Sequence, residues 1–387
     1  MRVLEIIPIP FFTARGTGFS SFNRTKVMSE LGHAVDIITL PYGEDIELRN
    51  VNLYRVLKIP LFKNIKMGPS LGKYLYNILL FIQAFMMMIR GRYDCLHLHG
   101  ESVYYGLILK FLFDVKILHD FHNSIPVDYK NYRPAANPLF IKVLSIMERF
   151  ALKHSDIIIV ICPELKKMIT NVSADKVFIV ENYSLKPKAG IKKGDTIKIR
   201  NTLGLEDGEK LVTYAGSFGT NQSLEIFISS IPTIIEKMDH VKFLMVGGDD
   251  KEAERLKKII VNLGIEDFVS FEGKKSLYEI WVYMDASDLL VSSMVRGRNT
   301  PSKIYSYLDT GKPIVVTDSI PHTQVVDNTM AMIVEPDPES FAHAIIHILS
   351  NEEFANKLTC KAMEQVEKKY SYRNFFENTR MALNAIE

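Results

Sequence analysis

The sequence is short of several things, and each shortage excludes a class of protein. It has three cysteines in 387 residues, Cys95, Cys162 and Cys360, far apart and in no metal-ligand spacing. That excludes a disulfide framework and reads as reduced thiols in a cytoplasmic protein. The formal charge is only +2, so no nucleic-acid partner is expected. There is no short-period repeat and no low-complexity tract. The opening MRVLEIIPIP has no basic stretch followed by an apolar one, so no signal peptide is expected. The apolar run LYNILLFIQAFMMMI is interrupted by Asn77 and Gln83. A full membrane span needs about 20 apolar residues.

What is present is a soluble composition, 47% apolar and 24% charged, at a length that suits two domains. Strand, loop, helix and strand follow one another from Arg2 to Leu40, which predicts a parallel sheet with helices on both faces. SLKPKAGIKKGDT is rich in Lys, Gly and Pro and has little apolar pattern, so it reads as a linker. A second α/β unit begins at Leu211, with Pro232 expected to kink or split its first helix. The fold class is therefore α/β, two doubly wound Rossmann-like domains. Ligands in such sheets bind outside the carboxyl ends of the strands.

The most informative stretch is Arg296 to Thr317, RGRNTPSKIYSYLDTGKPIVVT. It reads as loop, helix, turn, strand. Thr300 is placed as the helix cap, Pro301 at the first helical position and Gly311 at the exit. Ser302 and Lys303 then occupy the first turn, where a cation is disfavoured unless an anion binds there. Arg296 and Arg298 lie just upstream, and no acid intervenes. The pattern points to a phosphate site; the plainer reading is a solvated basic loop.

Three further clusters sit at predicted strand ends. Arg15-Gly16-Thr17-Gly18 lies between the first strand and the first helix, with Ser21 where a dinucleotide fingerprint needs glycine, so a nicotinamide site is rejected. His97 and His99 end one strand; His119, Asp120 and His122 end the next. Zinc needs three or four convergent ligands, and a sequence does not show convergence. His97 reads as core, and His99 is open. Tyr214 to Ser223, YAGSFGTNQS, is a second strand-loop-helix turn whose backbone N–H groups suit phosphate.

TPSK, a tyrosine and then TGKP resemble the donor-binding signature of retaining glycosyltransferases of family 4, in the branch that builds bacterial surface polysaccharides and carries a P-S-K segment. The resemblance runs from the glycine loop to the last helix. It implies the GT-B fold, with the two domains facing across a cleft. It implies an acceptor-side domain 1–184, a linker 185–197, a nucleotide-sugar domain 198–369 and a helix 370–387 crossing back. The donor would be held by Gly216, Ser217, Gln222, Phe271, Glu272, Arg298, Thr300, Pro301, Ser302 and Lys303. Gly16, Thr17 and Gly18 would face the diphosphate and acceptor, and His119 would act at the donor sugar. No metal or other cofactor is expected, and a UDP-sugar is the favoured donor. The implied reaction transfers a sugar to a hydroxyl acceptor with retention, the acceptor being a polysaccharide or lipid-linked glycan.

The chain departs from the family in places. Ser217 and Ser223 break the glycine-rich pattern of the branch. Arg298 and Ser306 stand where relatives carry paired glutamates, the second of which commonly holds the donor ribose. These losses keep open a catalytically inactive nucleotide-sugar-binding subunit and a nucleotide-sugar epimerase of the same architecture. Finally, Leu48 to Tyr93 holds eight cations and no acid around the apolar run. That predicts peripheral docking on an anionic surface, the inner face of the cell membrane.

Overall fold

A computed structural model describes residues 1–12, 16–62, 70–187 and 190–386. The chain divides into two compact units, Met1–Glu181 with Phe375–Glu387, and Asn182–Asn374.

In the first unit, β1 (Arg2–Ile7), β2 (Ala34–Thr39), β3 (Val51–Arg55), β4 (Cys95–His99), β5 (Lys116–Phe121), β6 (Ile157–Val160) and β7 (Val177–Ile179) form one sheet. Its order is β3-β2-β1-β4-β5-β6-β7 and every pair is parallel. The near-continuous apolar runs of β1, β2 and β6 suit strands covered on both faces. Leu4, Ile6, Leu96 and Leu98 pack with Tyr76, Leu80, Ala84 and Met88 of helix Leu71–Arg90. Alternation along the strands sends Glu5, His97, His99 and Asp120 the other way, toward helix Gly16–Glu30. Lys116 Nζ donates to the Ile386 carbonyl, 2.6 Å away, which fastens the end of the chain to this unit.

In the second unit, β8 (Lys210–Gly216), β9 (Val241–Gly247), β10 (Val269–Glu272), β11 (Leu289–Ser292), β12 (Ile314–Thr317) and β13 (Met332–Val334) are ordered β10-β9-β8-β11-β12-β13, again all parallel. The order reverses between β8 and β11, as it does between β1 and β4 in the first unit. Such switch points open a crevice at the strand carboxyl ends.

Several local expectations need correcting. Helix Lys193–Thr202 begins inside the expected linker, where Tyr278 and Asp285 bind its Asp195 and Thr196. Pro232 neither splits nor ends helix Leu224–Lys237. Ile228, Ile231 and Ile234 are buried in the core there, and that packing outweighs one lost hydrogen bond. Gly16, Thr17 and Gly18 form the first turn of helix Gly16–Glu30, not a loop.

Candidate functional site in the second unit

β8 pairs with β11 at Leu289 and Leu290 only, so Ala215 has no ladder partner on that side. The buried Tyr307 hydroxyl fills the gap. It accepts from Ala215 N at 2.8 Å and donates to Ala215 O at 2.9 Å. A side chain thus completes a strand edge and fixes helix Lys303–Leu308 against the end of β8.

That seating brings Lys303 Nζ to 2.8 Å from both the Tyr214 hydroxyl and Gln222 Oε1, and 4.0 Å from the Tyr214 ring centre. The Tyr214 hydroxyl donates to Ser217 O at 2.6 Å and lies 3.1 Å from Gln222 Oε1, and Ser293 Oγ donates to Gln222 O. The ammonium meets a ring and neutral oxygens, with no carboxylate among its described partners. Burial therefore pushes its pKa well below the usual lysine value. Gly216 leaves little room beside it: a Cβ there would lie 3.0 Å from the Tyr214 hydroxyl and 3.4 Å from Lys303 Cδ. Nearby, His322 is fully buried between Ser292 Oγ at 2.9 Å and the Thr317 carbonyl at 3.0 Å. Burial first, and the Lys303 charge in addition, lower its pKa to about 4, so the imidazole is neutral.

The other expected donor residues divide. Thr300 does not cap the helix: its hydroxyl is buried without a hydrogen-bond partner, and Ser302 holds the cap position without a side-chain bond. Pro301 lies outside the helix, its carbonyl accepting from Ile304 N. The helix has six residues, so the anion argument rests on the Lys303 ammonium rather than on its terminus. Ser217 and Arg298 are exposed, and Gln324 donates to the Arg298 carbonyl. Phe271 meets Phe218 edge to face at 5.9 Å, and Phe218 meets Tyr214 at 6.1 Å, which links β10 to the site through rings. Glu272 pairs with Lys275 at 2.8 Å. Ser223, where the resembled branch has glycine, adopts φ 50° and ψ 40°.

In the first unit, the His119 side chain is not at a strand terminus. It sits within β5, 3% exposed, its Nδ1 3.4 Å from Ser155 Oγ and its ring against Phe121. Burial lowers its pKa to about 3. This side chain is a neutral core group, and His122 is the residue that emerges past the strand. Gly16 and Thr17 are described only as backbone, and Gly18 is buried. Behind His122 lies a buried polar cluster. Arg24 donates to Asp120 Oδ1 at 2.9 Å, Thr25 to Glu5 Oε2 at 2.7 Å, and His97 and His99 both approach Glu5 Oε1.

Residues 209–351 match the family model described as glycosyl transferases group 1, and residues 15–183 the model described as glycosyltransferase family 4. The chain belongs to the group 1, family 4 glycosyltransferases. An uncharacterized glycosyltransferase of Methanocaldococcus jannaschii is 23% identical over 90% of this transferase and 88% of its own length. The alpha-monoglucosyldiacylglycerol synthase of Streptococcus pneumoniae is 22% identical over 74% of this chain and 64% of its own. Among solved structures, HepE of Anabaena in complex with UDP-glucose superposes with a TM-score of 0.77, at 14% identity, over 99% of both chains. The two Rossmann-like domains have the GT-B fold.

Sequence reasoning missed Tyr214, Tyr307, Glu5 and Arg24. Tyr307 lies on an apolar helical face, Tyr214 opens a turn read for its backbone groups, and nothing in the pattern marks their hydroxyls. Glu5, a lone acid inside VLEII, was the available signal.

Proposed function

We propose that this glycosyltransferase takes its sugar from a nucleoside diphosphate, a UDP-sugar, and that the diphosphate sits against Lys303 at the β8–β11 switch point. The observation that carries the reading is a lysine amine held at that crevice by Tyr214 and Gln222, with no carboxylate among its described partners. A leaving diphosphate gathers negative charge as the glycosidic bond breaks, and a fixed cation stabilises that charge. The orphaned Thr300 hydroxyl is a second donor on the same segment. HepE binds UDP-glucose on the same fold, which favours uridine. Transfer proceeds with retention to a hydroxyl of a glycan or lipid-linked glycan, without a metal at the diphosphate.

Docking on an anionic membrane surface, on the cytoplasmic face, belongs to the same reading. Helix Leu71–Arg90 buries Tyr76, Leu80 and Ala84 against the sheet and exposes Leu71, Ile78, Ile82 and Ile89. Helix Pro138–His154 exposes Leu139, Val143, Ile146 and Phe150. Exposed apolar stripes of this kind mark interaction surfaces. Of the expected cations, Arg55 is bound to Asp45 and Lys73 to Glu101, while Lys63 and Lys66 lie outside the described residues. Arg49, Lys58, Arg90 and Arg92 are exposed. The S. pneumoniae relative bears the name of an enzyme that makes a glucosylated diacylglycerol.

The test is a calorimetric screen of UDP, GDP and TDP and their sugars. Binding of UDP species, lost with Lys303→Met, supports the site. Equal affinity for all three families, or none for any, counts against it.

A further inference from the structure

The sequence reading expected no metal, but the folded chain brings three ligand-type atoms together at the carboxyl end of the first sheet. His99 Nδ1 lies 3.3 Å from His122 Nε2 and 3.4 Å from Asp120 Oδ2, and the last two lie 3.4 Å apart. The three atoms make a nearly equilateral triangle. A tetrahedral zinc with ligands at about 2.0–2.1 Å spaces its ligand atoms about 3.3–3.4 Å apart. An octahedral ion with bonds of the same length would need a face of about 3 Å edges. The ring centres of His99 and His122 are 5.5 Å apart, close to the roughly 5.2 Å expected for two imidazoles on one tetrahedral ion.

The surroundings fit a cation. Asp120 is fully buried; its Oδ1 is held by Arg24, and its Oδ2 makes no close hydrogen bond, lying 3.4–3.6 Å from nitrogens of His97, His99 and His122. Glu5 Oε1 lies 2.9 Å from His99 Nε2. If that nitrogen carries the proton, the Nδ1 lone pair is turned toward the triangle. A carboxylate behind a ligating histidine is the usual outer-shell support of a zinc ligand. Glu5 and Asp120 also meet Arg24 and His97, the latter 3.2 Å from Glu5 Oε1 and 3.6 Å from Asp120 Oδ2. Ser21 Oγ, 3.3 Å from His99 Nδ1, stands beside the triangle.

We propose that His99, Asp120 and His122 bind one divalent transition-metal ion, zinc by geometry, with a fourth position left for water or another oxygen ligand. The site lies in the first unit and is independent of Lys303, so it stands or falls apart from the donor reading.

The full chain, freed of metal by chelation and without a histidine tag, is titrated with zinc against a chromophoric chelator, and with cobalt by visible absorption. The expected result is one zinc per chain and the intense absorption of tetrahedral cobalt. Glu5→Gln should weaken zinc about 10–100-fold, the range for outer-shell partners, and His122→Ala by more. His122 is the ligand chosen for removal because its side chain is 10% exposed. Circular dichroism checks that each variant is folded. Overturning results are absence of stoichiometric zinc in the wild type, or weak octahedral-type cobalt bands. Unchanged zinc affinity in folded His122→Ala would overturn it as well. UDP calorimetry on the same samples reports the donor site separately.

Discussion

Replacing Lys303 with Met keeps the length of the side chain and removes its charge. In the structure the Tyr214 hydroxyl keeps its short bond to Ser217 O and still lies 3.1 Å from Gln222 Oε1, while the desolvation cost of a buried ammonium is removed. The variant should therefore fold with at least wild-type stability near neutral pH. Its affinity for UDP should fall by about 1.5–3 kcal/mol, the range for a hydrogen bond to a charged group. That corresponds to roughly 10- to 150-fold in Kd. The lowered pKa adds a pH signature. Between the lowered folded value and 10.5, the unfolded chain holds a proton on Lys303 that the folded chain has lost. Stability from this residue is therefore fully present above 10.5 and is lost as pH falls through that window to the lowered folded value. Diphosphate binding favours the ammonium, so UDP affinity should fall as pH rises through the same window, with proton uptake on binding. Calorimetry in two buffers of different ionisation enthalpy, with urea melts against pH, measures both effects. A folded Lys303→Met variant with wild-type UDP affinity and an unchanged stability-versus-pH profile would refute the reasoning.

The remaining predictions concern the frame around the sites. Tyr307→Phe leaves the Ala215 N–H and carbonyl without partners and should cost about 2–4 kcal/mol, since each orphaned buried group costs about 1–3; thermal unfolding reads it. Ser223→Gly should stabilise by about 0.5–1 kcal/mol, because the left-handed backbone there costs a side-chain-bearing residue about 1–2 and glycine is more flexible when unfolded. His119→Ala should lower stability through a core cavity while leaving UDP affinity unchanged; a selective loss of turnover at wild-type stability would restore a catalytic role. Sedimentation should show binding to anionic vesicles at low salt that fades at high salt and is weakened by Ile78→Glu with Ile82→Glu; equal binding to neutral vesicles would point to apolar contact alone.

The doubly wound pattern was legible because parallel strands covered on both faces are continuous apolar runs, as in VLEII and IIIV. Lys303 and Gln222 were legible as residues, 81 positions apart, but their contact was not. It depends on the Tyr307 hydroxyl, whose partners are backbone groups invisible to a side-chain pattern. The burial of the His119 side chain follows from strand alternation. Counting from Asp120 toward helix Gly16–Glu30 puts His119 on the opposite face. The zinc-type triangle was beyond the sequence for a similar reason. His99 and Asp120 are paired by strand register, and His122 joins them only through the turn after β5.

Turnover measured on a sample whose UDP binding has been verified tests the central claim most directly. Release of nucleoside diphosphate from UDP-, GDP- and TDP-sugars would be followed by mass spectrometry, with vesicle-borne lipid-linked glycans and soluble glycans as acceptors. The account predicts acceptor-dependent release of UDP from a UDP-sugar, reduced at least about tenfold by Lys303→Met at subsaturating donor. Intact donors throughout, in a protein that binds UDP, would contradict it.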